Sequence, residues 1–187
     1  MRVATIEVKG LTPYSQSKPL QSERKKEETH DDFDQRIWQE RIHHDDAGNV
    51  FIPATCISQG LAVSASYLGK GGGLSKKGQA TWAENFRCGL AIANSPKIGK
   101  TVDDAVAERV YCHADGKRTC GTRVWRTFPI FHDWAATFVI HILDDTIPEE
   151  IFRKVVEAFG LFNGVGRYRP QNNGYLGRFV IEKFEIA

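Results

Sequence analysis

The 187-residue sequence has no apolar run near the ~20 residues that a membrane-crossing helix needs. Its first residues, Met1-Arg2-Val3-Ala4-Thr5-Ile6-Glu7-Val8, alternate like a strand and lack the apolar stretch of a secretory signal. A cytoplasmic protein without a membrane partner is the expectation. Strong charge of one sign is also missing. A formal net charge of +2 gives no argument for a polyanion from composition, so any such argument must rest on where basic residues cluster. Cysteine is sparse and scattered: Cys56, Cys88, Cys112 and Cys120 show no C-x-x-C spacing, which favours ordinary thiols over a disulfide framework or a zinc knuckle. No G-x-x-x-x-G-K-[ST] stretch occurs, so the glycines and lysines of residues 71–78, Lys76 and Lys77 included, read as a flexible basic loop and not as a nucleotide-binding one. His30, His43 and His44 sit among Asp31, Asp32, Asp34, Asp45 and Asp46, but adjacent pairs in a polar segment fix no ligand geometry. Neither a metal nor a cofactor is expected.

What the sequence does have is a concentrated loop near its C-terminus, from Gly164 to Phe179. Glycine and asparagine favour positive φ and proline removes a donor, so Gly164, Gly166, Pro170, Asn172, Asn173, Gly174 and Gly177 exclude a regular helix or strand there. Arg167, Arg169 and Arg178 alternate with Tyr168 and Tyr175. Guanidinium forks, aromatic faces and free backbone amides on one segment suit a phosphodiester backbone with unstacked bases. The competing reading is a tight turn whose arginines pair with Asp144, Asp145 or Glu182.

Around this loop the pattern predicts one α+β domain over residues 1–187, 41% hydrophobic and 26% charged. A first strand spans 2–9, and a polar arm inserted at about 14–49 begins as an exposed or partly disordered loop. Asp31–His44 fits either a helix or one arm of a hairpin. A helix is expected from about Thr55 to Leu68, with short strands at 87–92, 108–113 and 123–131. A turn carrying Lys117 and Arg118 should join the last two, and a strand should follow at 134–143. A final helix is expected to be capped by Thr146, with Glu149 as capping-box partner and Ile151, Val155, Phe159 and Phe162 as its apolar face. Phe179–Ile186 should close the chain as a strand.

Strand, helix, strands, helix, strand is the βαββαβ order of the ferredoxin-like, RRM-type fold. On Leu11-Thr12-Pro13, on Phe51-Ile52-Pro53-Ala54-Thr55-Cys56-Ile57-Ser58-Gln59-Gly60-Leu61, and on the Gly164–Phe179 loop, the sequence resembles the RAMP superfamily, which includes RNA-binding backbone subunits of CRISPR complexes. The resemblance implies single-stranded nucleic acid, RNA before DNA, as partner. Other subunits of a ribonucleoprotein complex are expected as partners too, or self-association along the strand, which the length of the 14–49 arm suggests, and no enzyme activity is expected. Where the family often carries a lysine facing the nucleic acid, this chain has Gln59, beside Ser58. The expected binding residues are Gly164, Gly166, Arg167, Tyr168, Arg169, Asn173, Gly174, Tyr175, Arg178, Ser58, Gln59, Lys76, Lys77, Lys117 and Arg118. Two alternatives stay open: a metal-independent endoribonuclease using His30, His43 or His44 as base, and an interaction protein that mimics a CRISPR subunit.

Overall fold

A computed structural model describes residues 1–71, 82–114 and 121–187. In chain order the strands and helices are β1 (Arg2–Gly10), β2 (Tyr14–Ser15), α1 (His30–Ile37), β3 (Asn49–Phe51), α2 (Ala54–Gly71), α3 (Ala83–Cys88), β4 (Leu90–Ile92), β5 (Lys97–Thr101), β6 (Val106–His113), β7 (Arg123–Phe131), β8 (Ala135–Ile142), α4 (Glu149–Ala158) and β9 (Phe179–Ile186). A 3-10 turn, Trp38–Arg41, follows α1.

The central sheet has the order β4-β8-β1-β9, and all of its pairings are antiparallel. With α2 between β1 and β4 and α4 between β8 and β9, this is the ferredoxin-like α+β core. The alternation that marks β1 and β8 as strands also sets their register. Ala4 faces Ile140, Ile6 faces Phe138 and Val8 faces Ala136. All six are buried, because a period of two sends every second side chain to the helix-covered face. Ile57, Leu61 and Ala65 of α2 and Phe152, Val155 and Val156 of α4 complete the core. Phe179 packs edge-on against Phe159 at 5.2 Å and Phe138 at 5.5 Å, and 6.2 Å from Trp134. Truncating Phe179 to alanine leaves a cavity among these rings and should lower unfolding free energy by about 3–5 kcal/mol, read from urea denaturation.

Several local expectations are corrected. Thr146 does not cap α4. Its backbone N–H and hydroxyl both donate to Asp144 Oδ1, and Pro148 takes the N-cap position. Phe162 leaves the apolar face and is 55% exposed, because the chain widens into a π-helical turn over Phe159–Asn163 and shifts the helical phase. Arg87 and Cys88 end a short helix, so the strand there is only Leu90–Ile92. β5, absent from the sequence reading, pairs with β3. The expected exposed loop holds for residues 17–28, which are mostly exposed and form no helix or strand, but not for its first three residues: Tyr14, Ser15 and Gln16 are buried. Gln16 donates to the Phe51 carbonyl at 2.8 Å and accepts from the backbone N–H of His43. Asp31–His44 becomes helix, 3-10 turn and then a bridge between His44 and Val50, so both of its sequence readings are partly realised.

Candidate nucleic-acid interface

The Gly164–Phe179 loop is sewn to the segment that follows β1. Arg167 N donates to Ser15 O at 2.8 Å, Gly177 N to Pro13 O at 2.8 Å, and Arg178 N to the Thr12 hydroxyl at 2.9 Å. Asn163, at the loop's entry, donates to the Gly60 carbonyl of α2 at 3.0 Å. A Cβ on Gly60 would stand 2.1 Å from the Phe159 ring. The three sequence stretches that carried the resemblance are thus joined in space.

Close approach fixes the glycines. A Cβ at Gly166 would lie 2.3 Å from Ser15 O, and one at Gly174 would lie 1.7 Å from the Tyr168 carbonyl. The amides expected to meet phosphate are largely engaged inside the loop. Gly164 donates to Phe159 O at 2.6 Å, Asn173 to Pro170 O at 2.9 Å and Gly174 to Arg169 O at 3.1 Å. Arg169 also turns inward, its Nε on Gln171 and its Nη1 on the Gly166 carbonyl. Arg178 Nε donates to Leu161 O at 3.1 Å. Tyr168 holds the left-handed conformation, φ 57°, and its ring lies beside the Arg167 guanidinium, 4.9 Å away.

Arg167 reaches into a groove of about 840 Å³ between the loop, the arm and the β6–β7 pair. Its guanidinium carbon sits 3.1 Å from the centre of the Phe128 ring, which also lies under Arg41 at 4.8 Å. Arg41 and Arg126 both donate to Asp34 Oδ1, at 3.0 and 3.2 Å, and Asp34 is fully buried. Arg123 and Tyr111 line the same groove. Arg41 and Arg126 thus share one buried carboxylate, and Arg167 joins them across the Phe128 ring, so that four arginines meet on a groove whose described lining includes no acidic residue. Arg41 Nε and Arg167 Nη1 are buried without a hydrogen-bond partner. Burial pushes the Arg167 guanidinium down to about 10, which leaves it charged at neutral pH. Asp34 Oδ2 is likewise buried without a partner, so the argument for an anion rests on the surplus of arginine along the groove lining.

The structure brings Arg167 and Tyr168 into this groove and leaves Tyr175 with its hydroxyl 3.5 Å from Glu108 of β6. Ser58 and Gln59 are elsewhere, on a separate groove of about 530 Å³ that Tyr67 and Arg87 also line. Lys76, Lys77, Lys117 and Arg118 lie outside the described residues. His30 opens α1, His43 packs its ring 5.9 Å from Phe51, and His44 Nδ1 lies 2.9 Å from the Asp45 carbonyl. None of these three lines the arginine groove, although His113 does. Among the described residues no cluster of histidine, cysteine and carboxylate side chains could hold a metal ion. No described helix is long and apolar enough to cross a membrane.

Sequence reading missed Arg41, Arg123, Arg126 and Phe128. For the last three a signal was present: Arg123-Val124-Trp125-Arg126-Thr127-Phe128 interleaves basic and aromatic residues, as the glycine loop does, on a strand instead of a loop. Arg41 gives no such signal, since it joins the groove only when the arm folds back.

No protein-family model matches the sequence, nor does any curated protein. Among solved structures, the fold is similar to a chain of a type III-B Cmr-beta complex bound to cognate target RNA, determined by cryo-EM, with a TM-score of 0.59 and 16% sequence identity. The match covers 99% of this chain and 60% of that one, so the chain spans about three fifths of its structural neighbour's length.

Proposed function

We propose that this protein binds single-stranded RNA with little sequence preference, holding phosphates in the arginine groove, as part of a ribonucleoprotein assembly of the CRISPR type. The observation that carries the reading is the convergence of Arg41, Arg123, Arg126 and Arg167 on one groove whose described lining includes no carboxylate. Phosphate oxygens entering the groove would accept from its arginine side chains and offset the surplus charge. Phosphate contacts carry no sequence information by themselves, which is why binding should be tolerant of sequence. The structural neighbour's place in an RNA-bound complex supports RNA over DNA and other subunits over solitary action. The role is binding without cleavage: guanidiniums stay protonated near neutral pH and serve as electrostatic clamps, not as proton carriers.

Fluorescence anisotropy with labelled single strands of several sequences tests this. Affinity should be similar across sequences, fall steeply with salt at about 0.7 log units per log salt for each phosphate engaged, and leave the RNA intact. Absence of binding at low salt, or recovery of cleaved RNA, would contradict it.

A further inference from the structure

β6 and β7 carry two aromatic side chains that the arginine cluster does not use. Tyr111 and Trp125 are direct cross-strand partners, their rings 5.1 Å apart and tilted by 44°. Both stay open to solvent, Tyr111 at 51% and Trp125 at 44%. Tyr67 and Phe162 form an equally exposed pair elsewhere, so it is the nearness of Tyr111 to the arginine groove that singles this pair out. Their geometry is held from one side. The Arg109 guanidinium lies 4.6 Å over the Trp125 ring, and Arg109 in turn donates to both carboxylate oxygens of Asp31 on α1. A row from Asp31 through Arg109 and Trp125 to Tyr111 results on one face of the β6–β7 ribbon; Tyr111 also borders the arginine groove, whose Arg126 and Phe128 stand on the opposite face of the ribbon.

We propose that this row is a base-stacking platform: a single strand whose phosphates lie in the arginine groove places one or two unpaired bases on Tyr111 and Trp125. The inference rests on the RNA-binding reading of that groove and adds a second, uncharged half to the site. Charge is divided accordingly. Asp31 offsets Arg109, so the platform is close to neutral, while the groove beyond Tyr111 keeps its surplus of arginine. Neutral bases and anionic phosphates, spaced along one chain, match that division. Arg109 pre-orients the indole, which lowers the entropy lost when a base stacks. Every base has a π face, so the platform remains tolerant of sequence.

The test uses the full chain and two short strands of equal length, one of ordinary nucleotides and one with abasic sugar-phosphate units at its centre. On the ordinary strand, Trp125→Ala and Tyr111→Ala should each weaken binding by about 5- to 100-fold, the effect of removing one stacked base, with an unchanged salt slope. On the abasic strand the same variants should bind as wild type does, and Trp125→Phe should keep most of the affinity for the ordinary strand. A merely structural role would weaken both strands alike. Equal weakening on both strands, a weakening expressed as a flatter salt slope, or no change at all would overturn the platform while leaving the groove reading intact. Reduced self-association with unchanged binding to short strands would also overturn it, and would assign the row to a protein partner. Failure of the wild-type protein to bind either strand would remove the groove reading and the platform together.

Discussion

Replacing Arg123 and Arg167 together by glutamine should lower the affinity for single-stranded RNA by roughly 100-fold or more at moderate salt, since a hydrogen bond to a charged group contributes about 1.5–3 kcal/mol. The log K against log salt line should flatten by about 1.4 units, ~0.7 for each phosphate no longer neutralised. Both side chains line the groove, and among the described residues neither is paired with a carboxylate. Their removal therefore leaves no buried acid orphaned, and the fold should survive. Arg169→Gln supplies the contrast. Its guanidinium is spent on Gln171 and on the Gly166 carbonyl, so the salt slope should hardly change. Salt-titrated anisotropy of the variants separates these outcomes. Arg169→Gln flattening the slope as much as the double variant would mean that the loop crest, and not the groove, meets the phosphates.

The largest stability effect should come from Asp34→Ala. This carboxylate is wholly buried and accepts from Arg41 at 3.0 Å and Arg126 at 3.2 Å. Arg41 is itself nearly buried, stacked on Phe128 and without a partner at Nε. Deleting the acid strands the Arg41 guanidinium in a poorly solvated place, whereas Arg126 is 31% exposed and keeps contact with water, and breaking a buried pair from one side costs about 3–5 kcal/mol. Urea denaturation of Asp34→Ala should show that drop. The exposed pair between Arg87 and Glu84 serves as control, and removing Glu84 should change stability by less than about 1 kcal/mol. A shift for Asp34→Ala as small as the control's would show that the cluster is solvated and holds no fixed geometry.

The core was legible where one physical signal dominates. Alternation marked β1 and β8 because their inward residues are Ala4, Ile6, Val8, Ala136, Phe138, Ile140 and Ile142, all buried. Phe179–Ile186 was legible as a run of strand formers after a glycine-rich loop. The arm was misread because several of its buried groups are polar: Gln16 and Asp34 are held by hydrogen bonds to residues 43, 51, 41 and 126, which no local pattern announces. Phe162 was misplaced because a π-helical turn breaks the 3.6-residue period at Phe159 without a proline or charge to mark it. In the candidate site, composition pointed to Arg167 and Tyr168 but also to Arg169, Arg178, Gly164, Asn173 and Gly174, whose hydrogen bonds serve the loop and its neighbouring backbone. A residue's type says what it can bind. Only the packing around it says whether that capacity is already used.

Because Arg41 belongs to both the arm and the groove, the most direct measurement is a crosslinking map of bound RNA. Single strands carrying 4-thiouridine, photo-crosslinked to the wild-type protein and followed by peptide mass spectrometry, should give adducts in the segments around Arg41, Tyr111–His113, Arg123–Phe128 and Arg167–Asn172. Adducts confined to the α2 surface of Ser58, Gln59 and Tyr67 would contradict the assignment of the arginine groove as the binding site.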